Sequence, residues 1–173
     1  CLEVTEELEV GVPALHSSEG DCTGVLKKML CSLNLSSHEF ISNQYDHEVQ
    51  AGSVLKPIQG RGRVVGDASV IAPVLNSNRG VVISSCLNPS YSMIDCYKMA
   101  ACSIDGAIRA AVAAGGDLKR MALLDNFCWC SSNDPVRLYQ LKEAVRACYD
   151  YAVSYNTPFI SGKDSMFNDF SGY

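Results

Sequence analysis

The chain has 173 residues, 47% hydrophobic and 19% charged, which suits one folded domain with a core and excludes two large ones. Its net charge of −5 argues against nonspecific nucleic-acid binding, which needs clustered Lys and Arg. No apolar run reaches the ~20 residues needed to cross a bilayer, and Cys1-Leu2-Glu3-Val4 opens no signal peptide, so a cytoplasmic setting is expected.

Residues 1–34 read as a linker or the end of a preceding domain, and residues 35–173 as the domain proper, with a final strand expected beyond Tyr173. Asp21 can cap a helix through about Leu33 that carries Val25, Leu26, Met29, Leu30 and Leu33 on one face. A short helical turn follows at Ser36-Ser37-His38-Glu39, and Tyr45 to Pro57 reads as a loop entering an extended region. Strands are predicted near Arg63–Val65, Ala68–Pro73 and Gly80–Ser85. A long helix should follow Asp95, with Tyr97, Ala101, Ile104, Ile108, Ala111 and Val112 inward and Gly115-Gly116 at its end. Met121–Leu124 is a buried strand ending at Asp125. Asp134 and Pro135 start the next helix, whose inner face reads Leu138, Leu141, Val145, Cys148 and Ala152. Asn156-Thr157-Pro158 breaks it, and a last strand leads into a Gly162-Lys163-Asp164-Ser165 turn. This order predicts an α+β fold, a small mixed sheet with helices packed on one face.

The nine cysteines are odd in number and scattered through apolar patterns, as expected of reduced core residues. Cys128-Trp129-Cys130 has one residue between its thiols, unlike the usual zinc-knuckle spacing, and no metal ligand set is assigned.

Two strand ends carry polar chemistry. Gly162 allows close backbone approach, Lys163 offers an ammonium, and Ser165 offers a hydroxyl and an N–H, which together could cradle phosphate. The spaced first glycine of a Walker loop is missing, and an ordinary exposed turn is the alternative. Asp125-Asn126 is either a second ligand-facing strand end or a turn. If both ends serve a ligand, they should face it from one wall. Tyr45-Asp46-His47-Glu48-Val49-Gln50 groups acid–base side chains, although consecutive positions seldom converge on one ion; a hydrogen-bonded loop is the alternative. Asp67 can face phosphate or metal, or sit in a bulge.

Taken together, Gln44-Tyr45-Asp46-His47-Glu48-Val49-Gln50, Leu123-Leu124-Asp125-Asn126-Phe127-Cys128-Trp129 and Thr157 to Ser165 resemble the phosphoribosylformylglycinamidine synthase family of purine biosynthesis. Gly66-Asp67-Ala68, Asn88-Pro89-Ser90-Tyr91 and Ile104-Asp105 with Ala107-Ile108-Arg109 support it, over roughly residues 35–170. The resemblance is to the N-terminal-type, aminoimidazole-ribonucleotide-synthetase-like domain of the second half of that ligase.

The resemblance implies a piece of an ATP- and magnesium-dependent enzyme that turns formylglycinamide ribonucleotide into formylglycinamidine ribonucleotide with glutamine-derived ammonia. It implies an ATP site shared with first-half domains of the same protein, a glutaminase domain or subunit as further partner, and self-association through the sheet. Asp125, Gly162 and Lys163 match positions at ATP, and Ser165 matches one near the substrate phosphate, with Asp164, Asn126, Asp46 and His47 in support. Cys86-Leu87-Asn88-Pro89 stands where the first half carries His-Asn-His-Pro, so no catalytic base is expected here. An auxiliary nucleotide site of the family would retain only His38 and Asp67. Its magnesium ligands are replaced by Gly106 and Ala110, which offer a hard cation no side-chain oxygen. A different ATP-using member of the superfamily and a noncatalytic scaffold are the alternatives.

Overall fold

The computed structural model describes residues 20–44, 48 and 50–169. They fall into two units, one within residues 20–85 and one within residues 86–169. Three small sheets and four helices make the fold α+β as expected, but the single mixed sheet of the sequence reading is replaced by separate ladders.

In the first unit, helix α1 spans Thr23–Leu30 and α2 spans Glu39–Ser42. Helix α1 is shorter than expected, and Asp21 accepts from the Thr23 N–H and hydroxyl just before it. Strands β1 (Ser53–Leu55), β4 (Ala68–Ile71) and β5 (Val81–Ser84) form an antiparallel sheet in the order β1-β4-β5. Strands β2 (Ile58–Gln59) and β3 (Val64–Val65) form a separate two-stranded ladder. The strand at Ser53 lies where a loop was expected, because its run is too short to show an alternating pattern, and the strand at Ile58 falls in the extended region expected after Pro57.

Register sets the exposure of the three-stranded sheet. Ile71 pairs with Val81 and Ser69 with Ile83, so Ile71, Val81 and Ile83 share one face. That face is open, with Ile83 52% exposed, and Ile58 is the one buried hydrophobic residue of this unit among those described.

The second unit carries the main core. Helix α3 spans Cys96–Ala113 and is capped by the Asp95 carboxylate on the Lys98 N–H. Strand β6 spans Leu123–Cys128, helix α4 spans Pro135–Tyr155, and strand β7 spans Phe159–Ser165. Asp134 caps α4 through the Val136 and Arg137 N–H groups, and Asn156 ends it in the left-handed region at φ 53°.

The helices meet through alanines. Ala144 and Ala147 of α4 are fully buried, and they cluster with Cys96, Ala100 and Ala101 of α3. The inner face of α4 is therefore centred on Ala144 and Ala147, and Val145, expected inside, is half exposed. Alanine hides because it is small where two backbones approach, so hydrophobicity alone misplaced the stripe. Next to this cluster, Ile104, Ile108 and Leu123 form a second one with Phe159 packed on it.

Two reciprocal hydrogen bonds bracket the helix pair. The Tyr97 hydroxyl of α3 donates to Asp150 of α4 at 2.9 Å, and the Tyr155 hydroxyl of α4 donates to Asp105 of α3 at 2.5 Å. The pairs follow the same order along both helices, so α3 and α4 run parallel. Arg146 lies over the Tyr97 ring at 4.3 Å, and Arg109 pairs with Asp105 at 2.6 Å. No helix among the described residues is long and apolar enough to cross a membrane.

Candidate functional site

Strands β6 and β7 pair in parallel, with α4 as the crossover between them. Leu123 pairs with Phe159, and after an irregularity the register runs Leu124 with Ser161, Asp125 with Gly162, Asn126 with Lys163, Phe127 with Asp164 and Cys128 with Ser165. The two polar segments singled out in the sequence are thus direct neighbours. Both are strand, not turn. Asp125 does not end β6, which continues to Cys128, and Gly162 to Ser165 complete β7, because the parallel ladder satisfies their backbone groups.

Strand alternation then divides the candidates between two faces. Leu123, Asp125 and Phe127 turn to the helices: Leu123 joins the Ile104 cluster and Phe127 packs on the alanine cluster. Gly162 and Asp164 pair with Asp125 and Phe127 and share that side. Asn126, Cys128, Lys163 and Ser165 take the other face, which is open. There the Lys163 ammonium donates to the Ser165 hydroxyl. The two ends are neighbours, as the sequence led one to expect, with the Asp125 and Lys163 side chains on opposite sides of the strand pair.

The helix-side geometry is tight at one point. A Cβ built on Gly162 would collide with Asp125 Oδ1, and would sit 2.9 Å from the carboxyl carbon and 3.2 Å from Oδ2. Gly162 is therefore glycine because the Asp125 carboxyl occupies the side-chain position. The Cys148 thiol of α4 is pushed up to about 11, first by burial and then by the Asp125 charge, which again puts that carboxylate on the helix side.

The far end of the strand pair is tied down. The Ser165 carbonyl accepts from the Trp129 N–H at 2.7 Å and from Asn168 Nδ2 at 2.7 Å. The Ser131 N–H donates to Asp169, and the Trp129 indole donates to the Arg137 carbonyl at 3.0 Å. On the open face the opposite end is apolar, with Leu124 68% and Ile160 67% exposed. The surface thus grades from aliphatic to cationic and amide groups toward the C-terminal ends of parallel strands, where ligands of α/β sheets bind.

The remaining candidates stand on other elements of the chain. His38 stands before α2 with Nε2 3.3 Å from the Leu33 carbonyl, and Asp67 is exposed between β3 and β4. Asp46 and His47 lie outside the described residues. Gly106 and Ala110 sit on α3, and a Cβ on Gly106 would stand 3.3 Å from the Cys86 Cβ and collide with its sulfur. Among the described residues no three His, Cys, Asp or Glu side chains converge as a metal site. Cys128, weighed in the sequence only as a metal ligand, is in register with Ser165 on the open face.

The family described as AIR synthase related protein, N-terminal domain, matches residues 65–171. A phosphoribosylformylglycinamidine synthase subunit PurL of Methanocaldococcus jannaschii is 31% identical over 149 residues, covering 86% of this chain and 19% of that protein. The subunit of the same name from Methanothermobacter marburgensis is 32% identical over 150 residues, covering 87% of this chain and 20% of that protein. The chain thus spans about a fifth of the length of the curated relatives it matches. The solved structure of PurLQS from Thermotoga maritima superposes with a TM-score of 0.65 at 16% identity, covering 99% of this chain and 25% of the other. T. maritima PurL complexed with ADP gives 0.64 at 17% identity, covering 83% and 22%. These likenesses show a shared fold.

Proposed function

This chain belongs to the AIR synthase related family, as an N-terminal domain, and on that premise we propose that it forms part of a phosphoribosylformylglycinamidine synthase and supplies one wall of its ATP site. The wall is the open face of β6 and β7. Lys163 supplies the positive charge, Asn126 an amide beside it, and Ser165 a hydroxyl that holds the ammonium and lies toward the ribonucleotide phosphate. Asp164 flanks the lysine from the neighbouring position. The observation that carries this reading is the in-register pairing of Asn126 with Lys163, with Lys163 bonded to Ser165 on an open surface.

In the proposed reaction ATP activates the glycinamide carbonyl oxygen of formylglycinamide ribonucleotide, ammonia from glutamine displaces it as phosphate, and the amidine leaves with ADP. Negative charge shifts onto phosphoryl oxygens in such a step, and a fixed ammonium stabilises it where water is excluded. This chain's contribution is that charge and its placement. Cys86-Leu87-Asn88-Pro89 brings no histidine, so proton transfer belongs to residues elsewhere in the complete enzyme. The described residues supply no metal-ligand cluster for the magnesium that accompanies ATP, and none of this chain's roles is routed through it. The missing walls are assigned to first-half domains of the same polypeptide, with a glutaminase as ammonia source, in the cytoplasm. The exposed Ile71, Val81 and Ile83 face suits apolar pairing with such a domain or with a second copy.

Lys163→Ala in the complete enzyme tests the reading. Losing a charged hydrogen bond costs about 1.5–3 kcal/mol, roughly a 10- to 150-fold loss in kcat/KM for ATP. Unchanged kinetics would leave the scaffold alternative, which Gly106 and Ala110 already favour for the auxiliary site.

A further inference from the structure

We propose that the Cys86 thiol closes, from within the protein, the auxiliary magnesium–nucleotide site that the family resemblance assigns to α3. Nothing in this closure depends on the open face of β6 and β7 being the ATP wall. Gly106 and Ala110 stand about one helical turn apart on α3, where the resemblance places the two magnesium ligands, and neither brings a side-chain oxygen. The missing side chain at Gly106 does not leave an empty notch. A Cβ built there would lie 2.5 Å from Cys86 Sγ and 3.3 Å from Cys86 Cβ, so the cysteine fills the space that a ligand at this position needs. What fills it is a thiol, a soft donor that a hard cation does not select. Magnesium is therefore not accommodated here on two separate counts: the oxygens are gone, and so is the room.

The thiol is held where it stands. The Asn88 side-chain amide has two N–H donors, and its nitrogen lies 3.4 Å from Cys86 Sγ and 3.2 Å from the Ser103 hydroxyl, donating to both. Ser103 in turn donates to the Met99 carbonyl at 2.9 Å, so the anchor is α3 itself. Ser103 and Gly106 are three residues apart and share one face of that helix, along which Cys86 and Asn88 are laid. Rotation about χ1 takes the sulfur away from Gly106 only by giving up the Asn88 bond, and Cβ, fixed to the backbone, stays close. The block thus has a movable part and a fixed part. They separate in Cys86→Ala, which removes the sulfur alone, and Cys86→Gly, which removes both.

Hydrogen exchange of the complete enzyme tests both counts. In an unobstructed helix interior Gly→Ala slows exchange roughly fivefold, the equivalent of about 1 kcal/mol. Gly106→Ala should do this in the Cys86→Gly background. In the parent, where the new Cβ meets the cysteine, it should instead speed exchange of α3 about threefold. The Cys86→Ala background should fall between, because Cβ remains. Effects of Gly106→Ala that agree within about twofold in the parent and Cys86→Gly backgrounds would overturn the proposal, since residues in contact must couple. A Gly106→Ala enzyme that folds only together with Cys86→Gly supports it; one that folds in neither background overturns it. The second arm adds magnesium and ADP to the parent. Exchange in residues 103–110 should stay within about twofold of the unliganded enzyme, and slowing confined to those residues would show an open site and overturn the closure. Lys163→Ala kinetics judge the ATP wall and enter neither arm, so the two readings fail separately.

Discussion

Replacing Ala147 with leucine probes the contact that places β6 and β7. Ala147 and Ala144 are fully buried against Ala100 and Ala101. Leucine adds three carbons where there is no free surface. If the helices hold their spacing, overpacking costs about 1–3 kcal/mol. If they separate, from roughly 8 Å toward 10 Å between axes, the Tyr97–Asp150 and Tyr155–Asp105 bonds stretch beyond hydrogen-bond range. Two bonds to carboxylates are worth about 3 kcal/mol together at the low end of their range, against about 2.4 kcal/mol gained by burying three methylenes. Separation would also open the alanine cluster, so the rigid response is a fair measure and about 2 kcal/mol is expected. Hydrogen exchange of the complete enzyme reads this directly, as roughly thirtyfold faster exchange of core amides in α3, α4, β6 and β7. Exchange in the β1-β4-β5 sheet should not change. Unaltered protection in α4, or loss confined to the other unit, would refute the close-packed alanine seam.

The remaining predictions concern charge and surface. The Tyr155 hydroxyl, and then the Arg109 guanidinium, hold the Asp105 carboxyl below its ordinary value. A depressed folded pKa gives stability that is present above the unfolded value of about 4 and lost as pH falls through the folded one. Tyr155→Phe removes the larger hold, so thermal melting from pH 6 down to about 3 should show a shallower acid-side loss, with about 1 kcal/mol lost at neutral pH after solvent screening; an unchanged acid limb would deny the pair its role. Ile83→Lys puts a charge on the open face of the three-stranded sheet, where Ile83 is 52% exposed. Sedimentation should then show weakened self-association of the chain; undiminished association would move the pairing surface elsewhere.

The legible parts of the fold were those with local signals. Asp134-Pro135 marked the start of α4, and Asp95 that of α3, because caps are written in two or three adjacent residues. The inner face of α4 was placed in part: Cys148 and Ala152 pack on the core as expected, but Val145 is half exposed and Ala144 and Ala147 take its place, because the site is decided by how closely α3 approaches. The strands at Ser53 and Ile58 are too short to carry a period. Gly162 to Ser165 looked like a turn because glycine, lysine, aspartate and serine are turn formers; the parallel ladder to β6, a contact across 37 residues from Asp125 to Gly162, made them strand. The adjacency of the two polar segments could be expected from their shared place at strand ends. Their division between faces could not, because it depends on both segments being extended.

That division changes what the motif means. Four consecutive polar residues in a turn can converge on one ligand, but in a strand they cannot: alternate residues must point apart. Lysine and serine are left together on the open side, where one orients the other. Glycine and Asp164 fall on the side of the helices, where the glycine's missing side chain admits the Asp125 carboxyl. The irregular step after Leu123 and Phe159 matters for the same reason. One residue of extra length in β7, at Ile160, resets the alternation, so Phe159 can enter the core while Lys163, four residues later, faces away from it. Without that step residues 159 and 163 would share a face, and the ammonium would be directed at the helices. The ligand-facing lysine therefore depends on a backbone irregularity four residues earlier, which conserves the core contact and the open-face charge together.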